Sequence, residues 1–332
     1  MKQRASTQRP RRGQRGLTMV ELMVAITIGL ILTAGIIQIF VNSKQTYRIE
    51  DAMARVQESG RMALDSMAND IRMSNYWGCQ ANLANTTNDL NNANAGYIDF
   101  KGRGGIQGTG DSNSANPPNT ITLRSADSSP GLTPQPNATA TTFNQNTAAA
   151  LRVTSNMPRT NDILLVSDCS GGDFFQVTGT AVDALGGFDI NHAVGGTSPG
   201  NSAAAFAKVY QGDASIFYAH EITYYIATTG ANSGQRTFDG QPALWRSVNG
   251  ADQELVDDVT DLRILYGEDT NSDRSIDRYV TATVLNTTNY NNVYSVKIKI
   301  TVQTPAANTS LTVGQRAQHD FWTTVAIRNR VL

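Results

Sequence analysis

A single carboxylate, that of Glu21, interrupts an otherwise uncharged apolar stretch near the start of the chain. A charged side chain costs about 2.5 to 3.5 kcal/mol at the centre of a bilayer, less near the interface, and such residues are functional by default. Gly16 lies five residues earlier, where a basic segment ends. Glu21 therefore requires a compensating positive group within its apolar surroundings.

A second group of oxygen-bearing side chains occupies alternate positions of one segment. They are Asp269, Asn271, Asp273, Ser275 and Asp277. Ca²⁺ prefers about six to eight oxygen ligands, and the start of the segment resembles an EF-hand loop. Arg274 stands where such a loop needs glycine, and Val280 stands where its bidentate Glu would be. A possible calcium cofactor thus competes with a solvated Asx-rich turn between two strands, which we favour.

No metalloprotease or nucleotide-binding motif indicates an enzyme. The histidines, His192, His220 and His319, are scattered and form no H-E-x-x-H sequence, and no G-x-x-x-x-G-K loop occurs. We therefore expect no catalytic activity and, apart from the possible Ca²⁺, no cofactor.

The charge is distributed unevenly along the chain. Residues 1–16 hold six of the 27 basic groups and no acidic group, so the rest has 21 basic against 28 acidic residues, a net charge of −7. A body of this charge lacks the clustered positive surface that nucleic acid requires, and we expect no direct nucleic-acid binding. The basic leader is typical of a segment that stays on the cytoplasmic side of a membrane.

A long helix must position Glu21. Residues 22–41 contain no charge and only three polar side chains, Thr27, Thr33 and Gln38. At about 1.5 Å per residue they span a bilayer core of about 30 Å. Residues 42–76 contain no proline, and apolar or small residues recur there at alternating spacings of three and four. These are Ile49, Met53, Val56, Gly60, Ala63, Met67 and Ile71. The pattern predicts a transmembrane helix over 17–41 that continues as an amphipathic helix over 42–76.

The remainder, 77–332, has the composition of a β-rich head. Its first part, at about 80–160, is rich in Asn and Thr and is interpreted as surface loops with short strands at 97–101 and 120–124. Nine further strands are predicted, at 162–167, 174–178, 205–210, 221–227, 244–248, 262–266, 279–284, 293–303 and 321–328. Strands without intervening helices imply an antiparallel sheet, which the amphipathic helix would cover, giving an α+β fold.

The two cysteines, Cys79 and Cys169, lie ninety positions apart and outside any C-x-x-C spacing, so a zinc site is not expected. In an oxidising compartment a disulfide between them is the leading interpretation. The alternative is a pair of separate buried thiols.

The order of basic residues, Gly16 and an apolar run containing Glu21 resembles the class III signal of type IV pilins and type II secretion pseudopilins. In that family a prepilin peptidase cuts after the glycine and methylates the new N-terminus. The resemblance implies removal of 1–16 and methylation of Leu17, where the family usually has Phe. Glu21 would then be the fifth residue of the mature chain. The Leu17 amine would remain cationic, and in a filament Glu21 could pair with the amine of a neighbouring subunit.

Two simpler interpretations compete with this one. A secretory signal peptide has an apolar run of only about 7 to 15 residues followed by a small-x-small cleavage site, and the sequence after Val41 offers none. An uncleaved signal anchor fits the length of the run but leaves Glu21 and the Gly16 junction unexplained.

Beyond residue 75 the chain resembles the PilW family of minor pilins. The resemblance rests on Gly78-Cys79, 166–169, 174–178, 259–262, 266–269, 277–280 and Arg328-Asn329. It implies a type IV pilin-like fold and a role in initiating pilus assembly with other minor pilins and the major pilin, beneath a tip adhesin. Twitching motility, adhesion or DNA uptake would follow. The expected location is the inner membrane with a periplasmic head, then the extracellular filament.

Two other functions remain open at this point. A type II secretion pseudopilin would share the leader and the helix but act in protein export. A membrane-anchored periplasmic binding protein would keep the anchor and never polymerise.

Overall fold

The computed structural model describes residues 18–80, 83–101, 105–110, 119–127, 151–153, 158–182, 188–196, 198–208, 210, 214–231, 237, 240–285, 289–305 and 316–330. The chain divides into two compact units, Met1–Met53 and Ala54–Leu332. The leader and the predicted cleavage junction lie outside the described residues.

One long helix, α1, covers Met19–Met73, a run of 55 residues. Its sequence contains no proline, which permits an unbroken backbone ladder. The helix ends where Asn75 takes a positive φ of 62°, and the Ser74 hydroxyl donates a hydrogen bond of 2.7 Å to the Ile71 carbonyl. The helix thus stops three residues before the predicted end at Tyr76.

Fifteen strands are present among the described residues. They are β1 (Thr86–Asn88), β2 (Ile106–Thr109), β3 (Thr120–Asp127), β4 (Leu151–Val153), β5 (Ile163–Asp168), β6 (Gly171–Gln176), β7 (Gly179–Val182), β8 (Phe188–Asn191), β9 (Ser215–Ala227), β10 (Ala243–Val248), β11 (Ala251–Val256), β12 (Val259–Glu268), β13 (Arg278–Val280), β14 (Val293–Gln303) and β15 (Gln318–Ala326). Short 3-10 helices occupy Asn289–Asn292 and Arg328–Arg330.

The strands form three sheets rather than the single sheet predicted. The largest has eight strands in the order β1-β6-β5-β9-β10-β11, with β2 joined to it through β3. Its branch arises because the 13-residue β9 pairs with β5 near its start and with β3 further along. The second sheet has the order β13-β12-β14-β15, and the third has β4-β8-β7. All pairs are antiparallel except β1 with β6.

The head-domain part of α1 packs into the main core. Val56, Ala63, Met67 and Ile71 are buried there with residues of both larger sheets. Those sheet residues include Leu123, Ile222, Leu244, Leu262, Ile264, Ile298 and Ile300. Full burial of each large side chain contributes about 1.5 to 3 kcal/mol, so this half of the helix is held mainly by its apolar face.

A polar network fixes the same helix to β9 and β10. The Asp70 carboxylate accepts hydrogen bonds from Arg246 Nε at 2.8 Å and from the Tyr224 hydroxyl at 2.6 Å. Ser66 Oγ lies 3.2 Å from that hydroxyl. These directional contacts set the rotation of α1 against the sheet, which apolar packing alone specifies less sharply.

Two predicted strands are wrong. Residues 97–101 and 205–210 are irregular where the structure describes them, although Ile98, Phe100 and Phe206 are buried. Phe100 stacks on Phe174 with a ring separation of 4.7 Å. Their apolar side chains cover the core from loops, a role that hydrophobic patterning does not separate from that of a strand.

Other differences are shifts or omissions. The predicted strand at 279–284 is the three-residue β13, and the pattern missed β1, β2, β4, β7, β8 and β11. Four of the observed strands fall in the Asn- and Thr-rich stretch at about 80–160, because backbone pairing there does not need apolar alternation.

Candidate functional site

The first turn of α1 holds Glu21. Thr18 precedes the helix, and its side-chain oxygen accepts a hydrogen bond of 3.4 Å from the Glu21 backbone N–H. The Thr18 carbonyl accepts the first intrahelical bond, from Leu22 at 3.1 Å. Thr18 and Glu21 thus have the spacing of a capping box, in which a threonine and a glutamate three residues later begin a helix. Gly16 and Leu17 lie outside the described residues, so their proximity to Glu21 stays a prediction.

The T-x-x-E spacing was available in the sequence and gives Glu21 a local role that charge considerations alone overlook. Its carboxylate lies at the positive end of the helix dipole, where anions are stabilised by about 0.3 to 1 kcal/mol. That stabilisation is smaller than the cost of leaving the charge unpaired in a low-dielectric medium, so capping does not replace the need for a cation.

The N-terminal half of the helix exposes its apolar side chains. Every residue from 18 to 48 is exposed, including Leu30 at 65% and Ile31 at 72%. The helix is long and apolar enough to cross a membrane. A continuous apolar surface of this extent requires lipid or protein to cover it.

The two threonines inside the apolar run, Thr27 and Thr33, satisfy their hydroxyl groups within the helix. Thr27 Oγ1 donates to the carbonyls of Met23 at 3.1 Å and Val24 at 2.9 Å, and Thr33 Oγ1 donates to that of Gly29 at 2.7 Å. An unsatisfied polar group in hydrocarbon costs several kcal/mol, on the order given by transfer measurements. Local back-bonding therefore makes both threonines compatible with an apolar environment.

The cysteines lie together in the head. Cys79 follows α1 closely, and Cys169 lies in the turn between β5 and β6. The two form a disulfide with a Cα to Cα distance of 5.2 Å and a sequence separation of 90. Next to it, Gln80 Nε2 donates a hydrogen bond of 2.9 Å to the Asp168 carbonyl. The predicted disulfide is confirmed, and it connects the end of the helix to the largest sheet.

The oxygen-rich segment 269–277 forms the loop between β12 and β13. Asp269 is 1% exposed and accepts backbone N–H groups of Ser272 at 2.7 Å and Arg274 at 2.8 Å. Asp277 accepts the Thr270 N–H at 2.8 Å, and hydrogen bonds from Thr270 lower the pKa of its carboxyl. Asn271, Asp273 and Ser275 lie in the same loop and are exposed.

These contacts are those of an Asx-rich turn, with the carboxylates directed at backbone donors. Within the described ranges, no three or more His, Cys, Asp or Glu side chains are arranged to hold a metal ion. Calcium binding at this loop stays a prediction.

One motif resembles a hydrolase signature. Residues 196–200 match G-x-S-x-G, which marks a nucleophile when it forms a sharp turn from a strand to a helix. Here the flanking residues Gly195 and Asn201 exchange backbone hydrogen bonds of 2.9 and 2.8 Å, which close a loop. Ser198 is exposed in that loop and does not lie at the start of a helix. The pattern therefore gives no support to hydrolase chemistry.

Comparison with known proteins bears on both ends of the chain. The family model described as the prokaryotic N-terminal methylation motif matches residues 11–37. The model described as type IV pilus-assembly protein W, PilW, matches residues 223–329. Searches of curated proteins and of solved structures found no match.

The methylation motif, the long apolar helix and the β-rich head together define the class: the chain is a type IV pilin-like protein with the α+β fold of that class. The second match begins within β9 and ends in the last 3-10 helix, so it includes the whole β13-β12-β14-β15 sheet. Over residues 223–329 the chain is similar to the PilW family. Both families are structural components of pili, and the helix fits a membrane-anchored pilin with a periplasmic head.

Proposed function

We propose that this protein is a minor pilin that takes part in initiating type IV pilus assembly. The observation that carries the proposal is the exposed apolar half of α1, which bears one carboxylate in its first turn. Such a surface can be covered by a bilayer or by similar helices in a filament core. One segment thereby serves as the anchor before assembly and as the packing element after it.

Processing completes the site in this proposal. A prepilin peptidase removes the leader 1–16, which creates a cationic amine at Leu17 one helical turn from Glu21. Within one subunit, or between neighbours, this amine supplies the positive charge that Glu21 needs. At the interaction distance of an ion pair, attraction in a medium of low dielectric far exceeds its value in water. The pair therefore favours one axial register of subunits.

The head would supply the contacts that distinguish a minor pilin from the major one. Its partners in this proposal are other minor pilins, the major pilin and a tip adhesin, and the processes served are twitching motility, adhesion or DNA uptake. The mature domains would be 17–41 in the membrane or filament core, 42–76 as the helix entering the head, and 77–332 as the head. No catalytic step is proposed.

The substitution Glu21→Val tests this account in cells. We expect normal processing, because the peptidase junction is unchanged, and loss of the subunit from sheared pili, because the Leu17 amine has no partner. Glu50→Gln is the matched control, since it removes one exposed carboxylate further along the same helix. Wild-type piliation and normal incorporation of the Glu21→Val subunit would refute the role of the charge pair.

Three readouts in the same cells separate this proposal from the two other functions: the sheared pili, protein secretion and the membrane fraction. Recovery of the subunit with sheared pili supports the pilin, whereas an effect on protein secretion with normal pili supports a pseudopilin. A subunit that stays in the membrane fraction under all conditions supports an anchored binding protein.

A further inference from the structure

Two aspartates are buried where β1 meets β6 in the largest sheet. Strand β1 runs parallel to β6 with Thr87 opposite Asp173, and Asp89 follows the end of β1. Asp89 is 6% exposed and Asp173 is fully buried. The Asp89 N–H donates a hydrogen bond of 2.9 Å to the Phe174 carbonyl, which fixes its backbone beside β6.

The segment 198–210 is bonded to this pair where the structure describes it. Ser202 donates to the Asp89 carbonyl from its N–H at 2.7 Å and from its hydroxyl at 3.0 Å. The Ala207 N–H donates to Asp173 Oδ1 at 3.0 Å, and the Tyr210 hydroxyl donates to Asp173 Oδ2. The Asp173 carboxylate and the main-chain carbonyl of Asp89 therefore hold the described part of this segment against the sheet.

Among the described residues, Lys208 is the cationic side chain that lowers the pKa of Asp173. Lys208 forms an ion pair with Asp168 and lies over the Tyr210 ring, 5.3 Å from its centroid. Its charge is therefore shared with a third carboxylate. His192 stacks on Phe206 at 4.1 Å, and burial lowers its pKa to about 4, so it is neutral near pH 7.

One oxygen atom of Asp89 shows the consequence of burying two carboxyl groups near a single, shared cation. Asp89 Oδ2 is buried and has no hydrogen-bond partner among the described residues. Two ionised carboxylates in one desolvated site repel each other, and a proton on one of them relieves the repulsion. In agreement, burial and the neighbouring Asp173 raise the pKa of Asp89 to about 7, and burial raises the pKa of Asp173.

We propose that Asp89 and Asp173 form a proton-dependent latch, which holds the segment 198–210 on the sheet while the pair keeps a proton and releases it when both groups ionise. The direction follows from the higher proton affinity of the closed state. The latch weakens as the pH rises from about 4 to about 7 and stays weak above that range. The surface that this segment presents to a partner therefore depends on pH.

Hydrogen exchange on the full chain in detergent tests the proposal. Exchange of residues 198–208 is compared at about pH 5.5 and about pH 8.5 after correction for intrinsic rates. If the open state has an ordinary aspartate pKa, the opening equilibrium should rise about thirtyfold between these conditions. In Asp89→Asn the amide cannot ionise, so most of this rise should be lost.

Asp257→Asn is the matched control, because it changes an exposed aspartate in the turn before β12 and should keep the wild-type pH response. Wild-type exchange that is equal at both pH values overturns the proposal, even if Asp89→Asn does not fold. Restoration of wild-type protection at the higher pH by Ca²⁺ alone also overturns it, since the pair would then be a metal site.

Discussion

The disulfide offers a quantitative test of how the head is stabilised. Replacing Cys79 and Cys169 together by Ala removes a cross-link that closes a loop with a sequence separation of 90. In the chain-entropy description, a loop of this length restricts the unfolded chain by about 4.6 kcal/mol at room temperature. Measured effects of native disulfides usually fall between about 2 and 5 kcal/mol, so we expect a loss near the upper part of that range.

Chemical denaturation of the full chain in detergent measures the loss. Trp77 is a suitable fluorescent reporter, because it is 1% exposed and contacts Phe174 edge-on at 5.5 Å close to the disulfide. The double variant should unfold at lower denaturant concentration than the oxidised wild type. The expected difference in the free energy of unfolding is about 3 to 4.6 kcal/mol.

Reduction of the wild type supplies the control. Under reducing conditions it should unfold like the double variant, and the variant should not respond to the reductant. Equal midpoints for the oxidised wild type and the variant would refute the stabilising role. Complete alkylation of both thiols without prior reduction would refute the bond itself.

Two further substitutions test the contact between α1 and the sheets. Gly60→Val should destabilise the head by about 1 to 3 kcal/mol, because a side chain there overlaps the ring of Phe321, and Phe321→Ala should recover part of the loss in thermal unfolding. Asp70→Ala should cost about 1 to 3 kcal/mol, since it removes the acceptor shared by Arg246 and Tyr224. A double-mutant cycle with Arg246→Ala should show coupling above about 0.5 kcal/mol, and strict additivity would contradict the network.

The helix was predictable because its causes are local. An unbroken apolar run, the absence of proline and the three-and-four spacing of Val56, Gly60 and Ala63 each act within a few residues. Strand β14 was predictable for the same reason: Val296, Ile298 and Ile300 are fully buried, as the alternation requires.

The division into three sheets was not predictable from such patterns. It depends on β9 changing partners from β5 to β3 along its length, a choice made by residues distant in sequence. Loop residues such as Phe100 are as apolar as strand residues, so periodicity cannot assign them to a loop or to a strand. Tertiary packing decides both outcomes.

The candidate sites divide in the same way. The roles of Gly16 and Glu21 were predicted from sequence spacing and stay predictions, whereas the disulfide followed from having only two cysteines. The pair of Asp89 and Asp173 has no sequence signature, because β1 and β6 lie side by side only in the folded head.

Mass spectrometry of the mature N-terminal peptide tests the central claim most directly. The account predicts that the peptide begins at Leu17, that its amine is methylated, and that Glu21 is its fifth residue. A peptide beginning at Met1, or at any residue other than Leu17, would contradict the account, since Glu21 would then lack the cation that filament packing requires.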